Sequence, residues 1–284
     1  MDDILLQARA KINLYLDVIN KRPDGYHNVK MIMQQIGLYD EVYIKKEDKG
    51  ITLETNVSFL PTGEDNIAFK AAKLILERYE INQGVYIHIN KRIPIAAGMA
   101  GGSTDAAAVI KGLNKIFKLN LSLEKMMELG LTLGADVPFC FLEGCALAEG
   151  IGEKLTPIEG LDKGWLVLSK PNMGISTREA YKNLNLDDTR EKMDIQVLIE
   201  ALKSGEIYAI GKSLYNIFEE GIFNRYPMVK DIKDKMLQYG ALGSIMTGTG
   251  PTVFGIFKDY EKAKSAYTNF LKYYRQTYLV RPYN

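Results

Sequence analysis

The chain is 284 residues long, with 36 Lys and Arg against 35 Asp and Glu, a formal net charge of +1. That length suits one large or two medium domains with a sizeable core. The charge balance argues against nucleic acid as the main partner, which calls for a strongly basic face. No apolar run approaches membrane-spanning length, and the acidic Met1-Asp2-Asp3 start reads as neither signal nor transit peptide. Cys140 and Cys145 sit among apolar residues and offer no metal-ligand or disulfide framework. A cytoplasmic protein with reduced, buried thiols is expected.

Gln7–Asp17 alternates strictly and predicts a strand. Ala8, Ala10, Ile12, Leu14 and Leu16 take its inward face, and Arg9, Lys11, Asn13 and Tyr15 an exposed, outward one. A polar turn follows, marked by Pro23, Asp24 and Gly25. Strands are predicted near Lys30–Gly37, Glu41–Lys46 and Ile51–Thr55, then a helix over Asn66–Glu80 with Asp65 as N-cap. Gly84–Asn90 alternates again, turning Val85, Ile87 and Ile89 inward and leaving His88 outward without a role. The small-residue run Ile93–Ala108 opens a helix that lasts to about Phe117, and Ser122–Leu133 forms another, closed by Gly134.

The second half has a different rhythm. Strands are predicted at Cys145–Glu149, Lys154–Ile158, Trp165–Ser169 and Gln276–Val280, with strand, glycine turn and strand over Ser244–Phe257. Helices are predicted near Thr177–Leu184, Asp194–Lys203, Glu206–Phe218, Pro227–Tyr239 and Tyr260–Tyr274. The mixture is α+β without internal repeats, and the glycine-rich EGIGEKL (Glu149–Leu155) marks a domain boundary near residues 150–160.

The run IPIAAGMAGGSTDAAA, Ile93–Ala108, carries almost no side-chain bulk. Small residues let a backbone turn tightly and let a ligand approach the main chain. Ser103-Thr104-Asp105 ahead of alanines is a helix-starting signal. A bare turn feeding a helix N-terminus is an anion site, because free N–H groups and the helix dipole point at the ligand. The plainer reading is a tight strand–helix corner, and glycine content alone leaves the two even. Neither familiar phosphate motif applies. Gly205 stands one residue too far ahead of Gly211-Lys212-Ser213 for a Walker loop, and Gly98-Met99-Ala100 lacks the second glycine of the dinucleotide fingerprint.

Ala10–Leu16 (AKINLYL), the small-residue run and Met246–Pro251 (MTGTGP) together resemble, in order, the three motifs of the GHMP kinases. This family of small-molecule kinases is named for galactokinase, homoserine kinase, mevalonate kinase and phosphomevalonate kinase. Arg22–Glu41 (RPDGYHNVKMIMQQIGLYDE) and Gly134–Cys140 (GADVPFC) are further similar to its 4-diphosphocytidyl-2-C-methylerythritol kinase branch, in the non-mevalonate isoprenoid pathway, with DGYH the most specific piece. The resemblance covers nearly the whole chain. It implies an α+β fold of two GHMP-kinase domains. Residues 1–155 would form the ATP-binding domain with a left-handed βαβ crossover, against the general right-handed preference. Residues 156–284 would form the acceptor domain, an antiparallel sheet with helices. It also implies ATP as phosphoryl donor, Mg2+, and a cytidine diphosphate conjugate of methylerythritol as small-molecule substrate. No nucleic acid, membrane or obligate protein partner is implied.

The same resemblance implies the site. Pro94, Ile95, Ala96, Ala97, Gly98, Met99, Ala100, Gly101, Gly102, Ser103, Thr104 and Asp105 would form the ATP phosphate loop. Ser103 or Thr104 would offer a hydroxyl to magnesium. Asp136, which read alone is a turn residue before Pro138, becomes the general base. Lys11, which read alone is a solvated lysine, joins Asn13 at the reacting hydroxyl and offsets negative charge during transfer. Tyr26 and His27 would supply a platform and an edge-reading group for cytosine, with Tyr181 as opposing ring. Thr177, Gly248, Thr249 and Gly250 complete the acceptor side. Ala96, Ala97 and Ala100 stand where the family commonly has glycine, and Asp105 where relatives often carry Asn. Because alanine disfavours positive φ, all three alanines are expected in ordinary backbone regions. The rival readings are another GHMP kinase of homoserine or mevalonate type, or a catalytically silent nucleotide-binding relative. DGYH and the Lys11/Asp136 pair argue against the homoserine type, and the presence of Lys11, Asn13 and Asp136 together argues against a silent relative.

Overall fold

The computed structural model describes residues 2–184 and 193–284. The chain groups into two compact units, each assembled from separated stretches. One takes the chain up to Ala10, Leu38–Ile93 and Ala100–Leu142; the other takes Lys11–Gly37, Pro94–Met99 and Glu143–Asn284. Two long strands, β1 (Asp3–Lys21) and β2 (His27–Glu47), contribute to both.

In the first unit, β3 (Ile51–Thr55) and β4 (Gly84–Asn90) pair in parallel, Ile51 opposite Val85, and helix α1 (Ile67–Arg78) connects them. β4 runs antiparallel to the later half of β2, from Glu41 opposite Asn90 to Glu47 opposite Gly84. The alternation of β4 is realised: Val85, Ile87 and Ile89 are buried, and His88 is half-buried. Those residues meet Ala68, Ala71, Ala72 and Ile75 of α1 and Ala106, Ala107, Val109, Ile110 and Leu113 of α2 (Gly101–Ile116) in one core. Each fully buried Val, Leu or Ile there contributes about 1.5–3 kcal/mol. Asn66, and not Asp65, caps α1, because its side-chain oxygen accepts the Ala68 N–H at 2.9 Å. Helix α3 (Leu123–Leu131) begins as expected at Ser122, whose hydroxyl accepts the Lys125 N–H at 3.2 Å.

The second unit holds the antiparallel sheet expected of the second half. Its order is β11 (Gln276–Val280), β7 (Trp165–Lys170), β10 (Val253–Phe257), β9 (Gly243–Met246). Helices α8 (Pro227–Gln238) and α9 (Tyr260–Leu271) pack on it. β5 (Cys145–Glu149) and β6 (Lys154–Ile158) form a hairpin on the earlier half of β2, with Met31 opposite Ala148. Helices α4 (Thr177–Lys182) and α5 (Ile195–Ser204) lie close to the predicted bounds. The single helix predicted over Glu206–Phe218 is instead α6 (Ile207–Lys212) and the short strand β8 (Tyr215–Asn216), with Phe218 as the N-cap of α7 (Glu219–Arg225). The Ser213 hydroxyl turns back to the Ala209 carbonyl at 2.8 Å, and Tyr215 and Asn216 then pair in parallel with Tyr15 and Leu16. That long-range pairing outweighs local helical propensity. Gly211-Lys212-Ser213 thus forms the end and C-cap of helix α6.

Candidate active site

Lys11, Asn13 and Tyr15 share one face of β1, as alternation requires, but the face is not outward: they are 4%, 0% and 4% exposed. A period of two says which residues share a face, and not whether that face meets water. Buried polar groups need partners, and these residues find them. Lys11 Nζ donates to Asn13 Oδ1 at 2.8 Å, and the same oxygen accepts the Gly248 N–H at 3.1 Å. The Asn13 N–H donates to Thr247 Oγ1 at 3.0 Å. Asn216, from β8, donates to the carbonyls of Met246 at 2.6 Å and Gly248 at 2.8 Å. Two asparagines therefore hold the Met246–Gly248 turn. Asn216 and Thr247 were not anticipated as site residues: MTGTGP signals a turn, but nothing in the sequence signals what holds it.

The small-residue run packs on that turn. Gly98 has φ +72°, and a Cβ on it would overlap the Thr247 carbonyl, so only glycine admits this approach. Thr247 Oγ1 donates to the Gly98 carbonyl at 3.2 Å, and the Lys11 N–H to the Met99 carbonyl at 3.2 Å. Two expectations fail here. Ala96 and Ala100 have φ of +49° and +57°, so two of the three alanines occupy the left-handed region. Tertiary packing holds them there at a cost of order 1–3 kcal/mol each. Helix α2 also starts earlier than its Ser-Thr-Asp signal. Its first residue is Gly101, and its cap is the left-handed Ala100, with no side-chain cap bond. Thr104 and Asp105 lie inside the helix and are buried, whereas Ser103 is half-buried. A helix start of this kind, with a left-handed cap and no side-chain cap bond, leaves its first main-chain N–H groups available to an anion.

The DGYH turn forms for local reasons. Asp24 Oδ1 accepts the Tyr26 N–H at 3.0 Å, Gly25 takes φ +87°, and the Arg22 N–H donates to the Tyr26 carbonyl at 2.8 Å. Tyr26 is thereby left 60% exposed. His27 stacks on Tyr181 with ring centroids 5.0 Å apart, and Tyr181 meets Phe218 edge-on at 4.9 Å. Phe218, expected only as a helix end, is a third ring of this cluster. Burial, with help from Lys21, holds the His27 imidazole below its ordinary value. The hydroxyls of Thr177 and Thr249 lie 3.3 Å apart beside the left-handed Gly250.

In the first unit, Asp136 is half-buried in the turn between α3 and the 3-10 turn Pro138–Phe141, and its carbonyl accepts the Cys140 thiol at 3.3 Å. A second group there was not foreseen. Lys91 Nζ donates to Asp40 at 2.5 Å and to Asp105 at 2.6 Å, with all three side chains buried. The other Asp40 oxygen accepts the N–H groups of Arg92 and Ile93. Burial pushes the Asp105 carboxyl up, against the pull of Lys91, and nearby Asp40 adds to the rise. Burial alone would lower Lys91, but the two carboxylates together raise it. In the sequence, Asp40 and Lys91 look like ordinary charges at strand ends. Among the described residues, no group of three His, Cys, Asp or Glu is placed to hold a metal ion, and no helix is long and apolar enough to cross a membrane.

The family model described as GHMP kinases N terminal domain matches residues 66–144, and that described as GHMP kinases C terminal matches residues 198–276. The chain is 50% identical to the 4-diphosphocytidyl-2-C-methyl-D-erythritol kinase of Alkaliphilus metalliredigens (strain QYMF), over 100% of this chain and 98% of that protein. It is 49% identical to the enzyme of the same name from Clostridioides difficile (strain 630), over 99% and 95%. A crystal structure of 4-(cytidine 5'-diphospho)-2C-methyl-D-erythritol kinase superposes with a TM-score of 0.84 at 31% identity, covering 99% of each chain. A homoserine kinase from Cytophaga hutchinsonii shares the fold, with a TM-score of 0.80 at 19% identity over 100% of this chain and 96% of that one. With both family models matched and relatives this similar over their full length, the chain belongs to the GHMP kinases.

Proposed function

We propose that this kinase transfers the γ-phosphoryl group of ATP to the 2-hydroxyl of 4-diphosphocytidyl-2-C-methyl-D-erythritol, giving the 2-phosphate and ADP. The observation that carries the reading is the buried Lys11–Asn13 pair fixed on the Gly248 turn, in a chain half identical to kinases named for that substrate. An ammonium closed off from water acts at low effective dielectric and stabilises charge developing on a transferring phosphoryl group. Asp136 takes the proton of the acceptor hydroxyl. Main-chain N–H groups over Ala97–Ser103 hold the triphosphate. Tyr26 offers an exposed ring face to cytosine, while His27, held neutral and braced by Tyr181, reads the base edge. Thr177, Gly248, Thr249 and Gly250 line the acceptor side.

Mg2+ fits the residues present. Magnesium at phosphate sites takes one or two protein ligands, the remainder being phosphate and water, so a three-carboxylate cluster is not required. Of the two candidate hydroxyls, Thr104 is buried and Ser103 is half-buried, which favours Ser103. When bound, the ion neutralises phosphate charge. The functional division proposed is an ATP-binding segment of residues 1–155 and an acceptor segment of residues 156–284, working in the cytoplasm without an obligate protein partner.

The test is incubation with Mg2+, ATP and, separately, 4-diphosphocytidyl-2-C-methyl-D-erythritol, homoserine and mevalonate, following ADP release and the phosphorus spectrum of the product. Turnover with the first alone supports the reading. Preference for either other alcohol, or ATP binding without transfer, overturns it.

A further inference from the structure

The Lys91, Asp40 and Asp105 cluster lies within one compact unit and touches both ends of the small-residue run. At the start of the run, Asp40 on β2 accepts the N–H groups of Arg92 and Ile93. At its end, Asp105 in α2 accepts the Lys91 ammonium. Lys91 joins the two, and its Nζ lies 3.3 Å from where a Cβ on Gly101, the first residue of α2, would stand. Such a cluster is an expensive way to stabilise a fold, since each buried ion costs several kcal/mol before pairing. Here the pairing is incomplete. One ammonium faces two carboxylates, and Asp105 Oδ1 is buried without a hydrogen-bond partner. A hydrophobic contact would hold β2 against α2 more cheaply. What it would not supply is a hydrogen-bonded reference point shared by Ile93 and the first turns of α2.

We propose that Lys91 is a positioning residue for ATP: by bridging Asp40 and Asp105 it fixes the two ends of the 93–101 run against each other, so that the N–H groups between them meet the triphosphate. This rests on the reading of that run as the ATP phosphate loop. Small displacements in a preorganised site carry large penalties, and a misplacement of about 1 Å can cost 10²-fold.

The test compares the parent with Lys91→Met and with Lys91→Met/Asp40→Asn/Asp105→Asn. The triple variant removes every charge of the cluster, and so remains foldable if the single variant, with two carboxylates left together, does not. KM for ATP and for the acceptor, kcat, and calorimetric binding of Mg2+-ATP are measured on protein shown folded by circular dichroism. KM for ATP and the calorimetric dissociation constant are expected to rise by about ten- to a hundred-fold, with the acceptor KM unchanged. A purely structural role would lower the melting temperature and leave the ATP constants of folded protein alone. Unchanged ATP constants in a folded variant, or equal loss for both substrates, overturn the proposal. If the parent binds ATP but phosphorylates none of the alcohols, the substrate reading fails while the calorimetric comparison still decides this one.

Discussion

The Lys11 ammonium donates to the Asn13 side-chain oxygen at 2.8 Å on a strand face closed to solvent. The same oxygen serves the Gly248 N–H, so Asn13 couples the buried Lys11 ammonium to the turn beside it. Asn13→Ala deprives two buried donors of this acceptor, at about 1–3 kcal/mol for each group left unsatisfied. The unfolding midpoint in urea should fall accordingly, and turnover by the remaining folded enzyme should fall as well. Asn13→Asp keeps an acceptor for both donors and should recover most of the stability. Equal stability of Asn13→Ala and the parent would count against the coupling.

Asp136→Asn preserves size and hydrogen bonding but cannot take a proton. Single-turnover transfer at saturating substrates should drop by about 10²–10⁴, with both substrates still bound. Lys11→Ala should also slow transfer. If, as proposed, both residues act on one event, the double variant should lose less than the product of the single losses. Transfer near the parental rate in Asp136→Asn would remove that residue from the mechanism.

Tyr26→Ala should weaken acceptor binding by about 1–3 kcal/mol, the range for stacking of one base on an aromatic ring, and leave ATP binding intact. The exposed ring makes little contact with the fold, so its loss should not move the melting temperature. Parallel weakening of both ligands would point to a general loosening instead.

His27 gives a pH test with a definite sign. Its folded value is lowered from 6.5, first by burial and then by Lys21, so the neutral imidazole persists below that pH. Acceptor KM should stay flat as pH falls to 6.5, then rise on further acidification, along with a loss of stability, because the unfolded state takes up the proton first. His27→Gln should flatten that acid limb. A rise already complete at pH 6.5 would contradict the assignment.

Strand and helix positions were largely legible because both periodicities are regular. β3, β4, β5, β6 and β11 fall on the predicted residues. The inward faces of β1 and β4 were legible too, but the burial of the second face of β1 was not. Alternation placed Lys11 and Asn13 on one face correctly and on the surface wrongly, because β1 is covered on both sides. The left-handed alanines were missed for a related reason: local preference forbids what the packing of Gly98 on Thr247 imposes next door. Asp40, Lys91, Asn216 and Phe218 left no trace in the sequence, since each owes its role to a partner far along the chain.

The turn at Met246–Gly248 is held by asparagines at positions 13 and 216, and the bond from Asn13 to Thr247 spans 234 residues. On the ribosome, at about 5–20 residues per second, β1 therefore waits roughly 10–50 s before its partners exist. During that interval AKINLYL is a nascent strand with a lysine and an asparagine whose final acceptors and donors have not been made. No N-terminal fragment ending before β9 can assemble this part of the site. Lys11 and Asn13 are thus made long before the turn that the Asn13 side chain holds.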